Sequence, residues 1–290
     1  METSELLKKV RKIEIKTRGL SSQIFSGEYH SAFKGRGMAF SEVREYQFGD
    51  DIRSIDWNVT ARFNAPYVKV FEEERELTVM LLVDVSGSKE FGTQKQLKQD
   101  LVTELSAVLA FSAIQNNDKI GMVFFSDIIE KFIPPKKGTS HILRIIRELI
   151  NFKPQHKATN IAHALRYFTN VINKRCIAFL ITDFMNDGFE DALKIANKKH
   201  DMVAIRIYDN RETEIPPVGS IKLRDSETGK FMWINTNKTI RKNYSTWNAK
   251  REQQLKEIFI KSGVDSIALK TDQSYIKPLM SFFKRRESRV

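Results

Sequence analysis

From Leu77 onward the chain repeats one pattern: a short apolar run, then a longer stretch whose apolar residues recur every three or four positions. Leu77 to Val83 is apolar on both alternating faces, which predicts a strand with no solvent side. Gln96 to Ile114 places Leu97, Leu101, Leu105, Val108, Leu109 and Ile114 at helical spacing. The alternation continues with a strand over Ile120 to Phe125 and a short edge strand over Ile128 to Ile133, stopped by Pro134-Pro135, which have no N–H for a ladder. Helices follow near 140–150 and 160–172, a strand over 176–181, a helix near 189–198 and a strand from Met202 to Ile207. Buried strands joined by helices predict a doubly wound, mostly parallel α/β sheet covered on both faces. Ile221 to Thr236 breaks the pattern with two short strands around a polar, glycine-containing turn, a hairpin inserted near 214–237. Helix, strand and helix then resume over 238–261, Val264 to Leu269 and 274–284, and the last strand is expected to rejoin the sheet.

Residues 1–75 read differently, as a smaller mixed α+β module ahead of an α/β domain over 76–290. A basic amphipathic helix is predicted from Leu6 to about Ile15. Farther on, Asp50, Asp51, Arg53, Asp56 and Arg62 are interleaved with Ile52, Ile55 and Trp57. That spacing suits a partly buried charge network fixing the module against the sheet; the alternative is a peptide-binding or catalytic carboxylate cluster.

Composition narrows the functional classes. No apolar run approaches the roughly 20 residues needed to cross a bilayer, and the first residues lack the apolar core of a secretory signal, so a cytoplasmic location is expected. The single cysteine, Cys176, lies in an apolar run and reads as a packing thiol. The net charge of +12 divides as +1 over 1–75, +3 over 76–210 and +8 over 211–290. The carboxy-terminal surplus is scattered among Glu252, Glu257, Asp265 and Asp272, without the aromatic interleaving that stacks bases. It reads as a solvated face or an attraction for an acidic partner; a nucleic-acid-binding module is the alternative.

Chemistry concentrates where the first core strand ends. Asp84, Ser86 and Ser88 form D-x-S-x-S beyond an apolar run, and ligands of open α/β sheets bind beyond such carboxyl ends. Thr159 stands just before a predicted helix, and Asp183 follows the strand ending Leu180-Ile181-Thr182. These are hard oxygen donors, suited to Mg²⁺ or Mn²⁺ rather than zinc. The plainer reading has Asp84 and the serines cap the following helix. An enzyme is a weaker reading. Ser86 stands where a haloacid dehalogenase-type phosphatase needs a second Asp, there is no phosphate-cradling glycine loop, and the five histidines show no metal-ligand spacing. An unrecognised metal-dependent hydrolase is kept as an alternative.

D-x-S-x-S at Asp84, Ser86 and Ser88, with Thr159 and Asp183 on later loops, resembles the metal-ion-dependent adhesion site of von Willebrand factor A domains. That resemblance implies hydroxyls binding the cation directly, aspartates acting directly or through water, and one coordination position left for a partner's carboxylate. Gly49-Asp50-Asp51, Ile55-Asp56-Trp57, Ala61-Arg62 and Val68-Lys69-Val70-Phe71, together with Leu223-Arg224-Asp225 and Thr271-Asp272, are similar to a bacterial family known as domain of unknown function fifty-eight. The resemblance implies a von Willebrand factor A-like fold and a non-enzymatic, chaperone-like adaptor serving a MoxR-type AAA+ ATPase or its client. Two positions depart from the pattern. Lys89 stands where Met is frequent, and Lys157-Ala158 precedes Thr159 where glycines are usual; a cation beside the site weakens its hold on a metal.

Overall fold

The computed structural model describes residues 38–63, 65–73, 77–90, 97–226 and 229–288. The helix expected over Leu6 to Ile15 and the boundary at 75/76 lie outside them. The core is a six-stranded sheet of β3 (Thr78–Asp84), β4 (Lys119–Phe125), β5 (Ile129–Lys136), β6 (Ile177–Thr182), β7 (Asp201–Tyr208) and β10 (Asp265–Lys270), in the order β10-β7-β6-β3-β4-β5. All neighbours are parallel except β4 and β5. The last strand therefore does rejoin the sheet, beside β7.

The uninterrupted apolar strands are explained by two separate cores. Val79, Leu81 and Val83 face α2 (Lys98–Gln115), α3 (Thr139–Asn151) and α8 (Ile276–Glu287), whereas Met80 and Leu82 face α4 (Ile161–Val171), α5 (Glu190–Lys199) and α7 (Lys238–Ser262). With side chains alternating at period two, a strand buried on both sides must be apolar at every position. α2 is buried nearly all round, and even Ser106 and Ser112 are enclosed.

Two sequence expectations change, at β5 and in the amino-terminal charges, while the inserted hairpin is found as expected. β5 does not stop at Pro134 but runs through both prolines to Lys136, which pairs with Ile120. As the sheet's edge it has one side with no ladder to supply, so the missing donors cost little there. The hairpin forms as β8 (Ser220–Arg224) and β9 (Phe231–Asn235) but as a separate two-stranded sheet, with Phe231, Met232 and Trp233 exposed. The amino-terminal charges are local caps rather than a network held against the core. Asp50 takes a two-pronged bond from Arg44 at 2.8 and 2.7 Å. Asp51 caps the short 3-10 turn Ile52–Ser54, and Asp56 caps α1 (Trp57–Phe63) through the N–H groups of Asn58 and Val59. Arg53, Trp57 and Arg62 are exposed. These caps flank the antiparallel pair β1 (Met38–Glu45) and β2 (Tyr67–Glu73).

Candidate functional site

β3 is the strand at which the sheet changes direction. The chain leaves it for β4 on one side and later returns through β6 on the other, so the carboxyl ends of β3 and β6 flank a topological switch point. Asp84 ends β3 and Thr182 ends β6. The Thr182 hydroxyl donates to Asp84 Oδ2 at 2.6 Å, and the Ser86 N–H donates to Oδ1 at 2.9 Å. Ser86 Oγ and Ser88 Oγ lie 3.2 Å apart on the turn that follows. Asp84, Ser86, Thr182 and Asp183 are buried and Ser88 is half-buried.

Asp183 is set by an uncommon backbone. The next residue, Phe184, has φ 57°, in the left-handed region that a bulky side chain avoids. It is held there by packing of its ring on Phe189 and Phe259 and by Arg251, which donates to its carbonyl at 3.1 Å. The turn brings the Met185 N–H back onto Asp183 Oδ1 at 3.1 Å. Strain of this kind persists where surrounding contacts over-determine the conformation.

The loop of Thr159 reaches the site through its backbone. The Gly87 N–H donates to the Lys157 carbonyl at 2.9 Å, and Asn186 Nδ2 donates to the Thr159 carbonyl at 3.0 Å. Gly87 is glycine for want of space: a Cβ there would sit 2.4 Å from the Ser226 carbonyl oxygen at the tip of the β8–β9 hairpin. The inserted hairpin thus lies against the D-x-S-x-S turn. The sequence-predicted residues Asp84, Ser86, Ser88 and Asp183 come together, and the Thr159 loop is tied to the same turn.

Sequence reasoning missed three participants. Thr182 was seen only as the end of a strand. Lys98, in the first turn of α2, is buried, and its ammonium donates to Asp183 Oδ2 at 3.2 Å and to Glu212 Oε1. Glu212 lies on the one-turn helix α6 (Asn210–Thr213), where its other oxygen accepts the Asp209 N–H at 3.0 Å. A lysine in an otherwise enclosed helix was a readable signal; Glu212, far along the chain, offered none.

The electrostatics follow from burial. Loss of water pushes the Asp84 carboxyl up to about 6, and the charge of Asp183 adds to the shift against the Thr182 and Ser86 hydrogen bonds. Burial disfavours the Lys98 ammonium, but Asp183 and Glu212 outweigh it and hold the amine above the usual lysine range. Glu212 is shifted upward by burial, in opposition to Lys98. The remaining candidates have other roles: Cys176 is buried, its thiol pushed up to about 12 by desolvation, beside a buried His200. His156 pairs with Asp127 at 3.0 Å on the surface.

Among the described residues no three His, Cys, Asp or Glu side chains cluster in a metal-holding arrangement, so any ion here would draw on hydroxyls. The donors do fit a hard cation: two carboxylates and two serine hydroxyls, all oxygen, at the adjacent carboxyl ends of β3 and β6.

A family model described as protein of unknown function DUF58 matches residues 42–254. Uncharacterized protein Rv1480 of Mycobacterium tuberculosis is 26% identical over 290 residues, covering 99% of this chain and 91% of that protein. Uncharacterized protein YeaD of Bacillus subtilis is 29% identical over 110 residues, 38% of this chain and 25% of that protein. Among solved structures, the conserved hypothetical protein BatB from Bacteroides thetaiotaomicron aligns with a TM-score of 0.47 at 18% identity, covering 73% of this chain and 99% of that one. An aerotolerance-related membrane protein from Bacteroides fragilis aligns with a TM-score of 0.47 at 18% identity, covering 72% and 99%.

Proposed function

The chain belongs to the DUF58 family, and we propose that it is a von Willebrand factor A-type interaction module that binds a partner protein without turning over a substrate. In this reading Asp84, Ser86, Ser88, Thr159 and Asp183 hold Mg²⁺ or Mn²⁺, and the partner completes the coordination with a Glu or Asp. The partner is a MoxR-type AAA+ ATPase or that ATPase's client, and the module works as its adaptor.

One observation carries the reading: Asp84, tied to Thr182 across the switch point, stands beside two hydroxyls and a second carboxylate at the carboxyl edge of the sheet. A bound divalent ion would supply positive charge for a partner's carboxylate, which Asp84 and Asp183 would otherwise tend to repel. Asp84 is placed by Thr182 and by the Ser86 N–H, and Asp183 by the strained Phe184 turn. Pre-set donors lose little freedom on binding. A non-enzymatic role is supported by the pairing of the Ser86 hydroxyl with Ser88 rather than with a histidine base, and by the burial of the thiol of Cys176. Among the described residues no helix is long and apolar enough to cross a membrane.

The test is a binding assay against the cognate ATPase with Mg²⁺, with EDTA and with the Asp183→Ala variant. Binding should require the metal and fail in the variant. Equal affinity in all three arms would remove the Asp84 face as the docking surface. Turnover of a phosphate ester or peptide that disappears in Ser86→Ala would overturn the non-enzymatic reading.

A further inference from the structure

Lys98 is oddly placed for a lysine. It stands in the first turn of α2, where the exposed N–H groups make the helix end electropositive and disfavour a cation, and its N-cap Leu97 gives no side-chain bond. Its side chain is 3% exposed. Helix stability does not explain a buried ammonium there. The two carboxylates it touches do: Asp183, from the end of β6, at 3.2 Å, and Glu212, from the turn after β7. Glu212 is itself fixed, its second oxygen capping α6 through the Asp209 N–H and its backbone carbonyl accepting from the Tyr244 hydroxyl at 2.8 Å.

We propose that the Lys98 ammonium is a resident cation of this site, shared between Asp183 and Glu212, and that a divalent ion must displace it from Asp183 in order to bind. The proposal rests on the metal-site reading above and deepens it. Asp183 Oδ1 already accepts the Met185 N–H and Oδ2 faces Lys98, so the carboxylate the ion would use is engaged by a tethered competitor. Glu212 gives the displaced ammonium somewhere to go without leaving it buried and unpaired. Ion binding is thereby linked to a shift of Lys98 toward α6. The consequence is a weak site in the free protein, one that becomes strong when a partner's carboxylate adds its charge to the ion.

Two measurements test it, with Mn²⁺ and Mg²⁺ alone as probes. Calorimetry on Lys98→Met, with circular dichroism to establish folding, should show affinity raised at least about tenfold over wild type, because a unit positive charge within a few ångströms of the ion is gone. Should Lys98→Met not fold, Glu212→Gln keeps the ammonium but removes its alternative partner, and its ion affinity should fall below wild type. The second measurement follows the Lys98 ε-methylene carbon by NMR, assigned from its loss in Lys98→Arg; Mg²⁺ saturation should shift it. Wild-type binding that is unchanged or weakened in folded Lys98→Met, or unchanged in Glu212→Gln, or a Lys98 signal indifferent to saturating Mg²⁺, overturns the competition while leaving the metal site standing. Absence of ion binding in wild type and in folded Lys98→Met overturns both readings. Binding in Lys98→Met alone supports the competition, with the wild-type site filling only when a partner's carboxylate is present.

Discussion

The Thr182 hydroxyl donates to Asp84 Oδ2 at 2.6 Å, joining the ends of two adjacent parallel strands across the point where the sheet's winding reverses. A matching bond links the ends of β7 and β10, where the Thr271 hydroxyl donates to Asp209 Oδ2 at 2.6 Å. In both, a buried hydroxyl satisfies the second oxygen of an aspartate whose first accepts a backbone N–H. Thr182→Val keeps the shape and removes the donor. We expect a loss of about 1–3 kcal/mol in urea unfolding at neutral pH, as for a buried acceptor deprived of its partner. The Asp84 carboxyl carbon should also titrate above the wild-type value of about 6 by NMR. A variant that matches wild type in both measurements would deny the bond its role.

Gly87→Ala should disturb the site without touching a donor. The added methyl group would meet the Ser226 carbonyl oxygen at 2.4 Å, a backbone atom with no flexible end to give way. The expected outcome is displacement of the β8–β9 hairpin, read as faster amide exchange over Ser220–Arg224 and Phe231–Asn235, with a stability loss of about 1–3 kcal/mol. Unaltered exchange in the hairpin would show that its tip does not rest on the turn.

Two buried groups pull the pH dependence of stability in opposite directions. Burial pushes Asp84 up to about 6, so between the ordinary aspartate value near 4 and about 6 the folded state binds more protons than the unfolded state, and stability falls as pH rises. Burial lowers His200 to about 4, with Lys199 and Arg175 adding to the shift; below about 6.5 the unfolded state takes the proton and stability falls as pH drops. Each effect is on the order of 3 kcal/mol at full extent. Urea midpoints between pH 4 and 7 should rise more steeply with pH in Asp84→Asn than in wild type, and less steeply in His200→Gln. Identical slopes in all three proteins would contradict both assignments.

Tyr275 fastens the last helix to the core. It is buried, and its hydroxyl donates to Glu104 Oε1 at 2.5 Å across 171 positions of the chain. Burial raises the phenol above the usual tyrosine range, and Glu104 adds to the effect, so the hydroxyl is a donor at neutral pH. Tyr275→Phe should cost about 1–3 kcal/mol and lower Tm by several degrees in calorimetry. A Tm within a degree of wild type would show that Glu104 is satisfied without it.

Much of this architecture was legible in the chain. Continuous apolar runs such as Leu81 to Val83 marked strands enclosed on both faces, and helical spacing marked their connections, because burial leaves its period in the local sequence. D-x-S-x-S was legible for the same reason: Asp84, Ser86 and Ser88 are neighbours along the chain. What local pattern could not supply was which charges meet. Asp50, Asp51 and Asp56 read as one partly buried network and are local caps and a pair with Arg44, since a charged motif reads alike whether its acids face N–H groups or cations. Pro134 read as the end of β5 because a missing N–H is a local signal, whereas the pairing of Lys136 with Ile120 beyond a register shift shows only in the finished sheet. Lys98 meets Asp183 across 85 positions and Glu212 across 114, by virtue of strand order alone. By itself the sequence determined the elements, their sidedness and the donors of the D-x-S-x-S turn, all set by interactions between near neighbours. Only the tertiary structure decided that a lysine's ammonium would pair with Asp183 and Glu212, because that contact depends on how parallel strands are ordered, and strand order leaves no period in the chain.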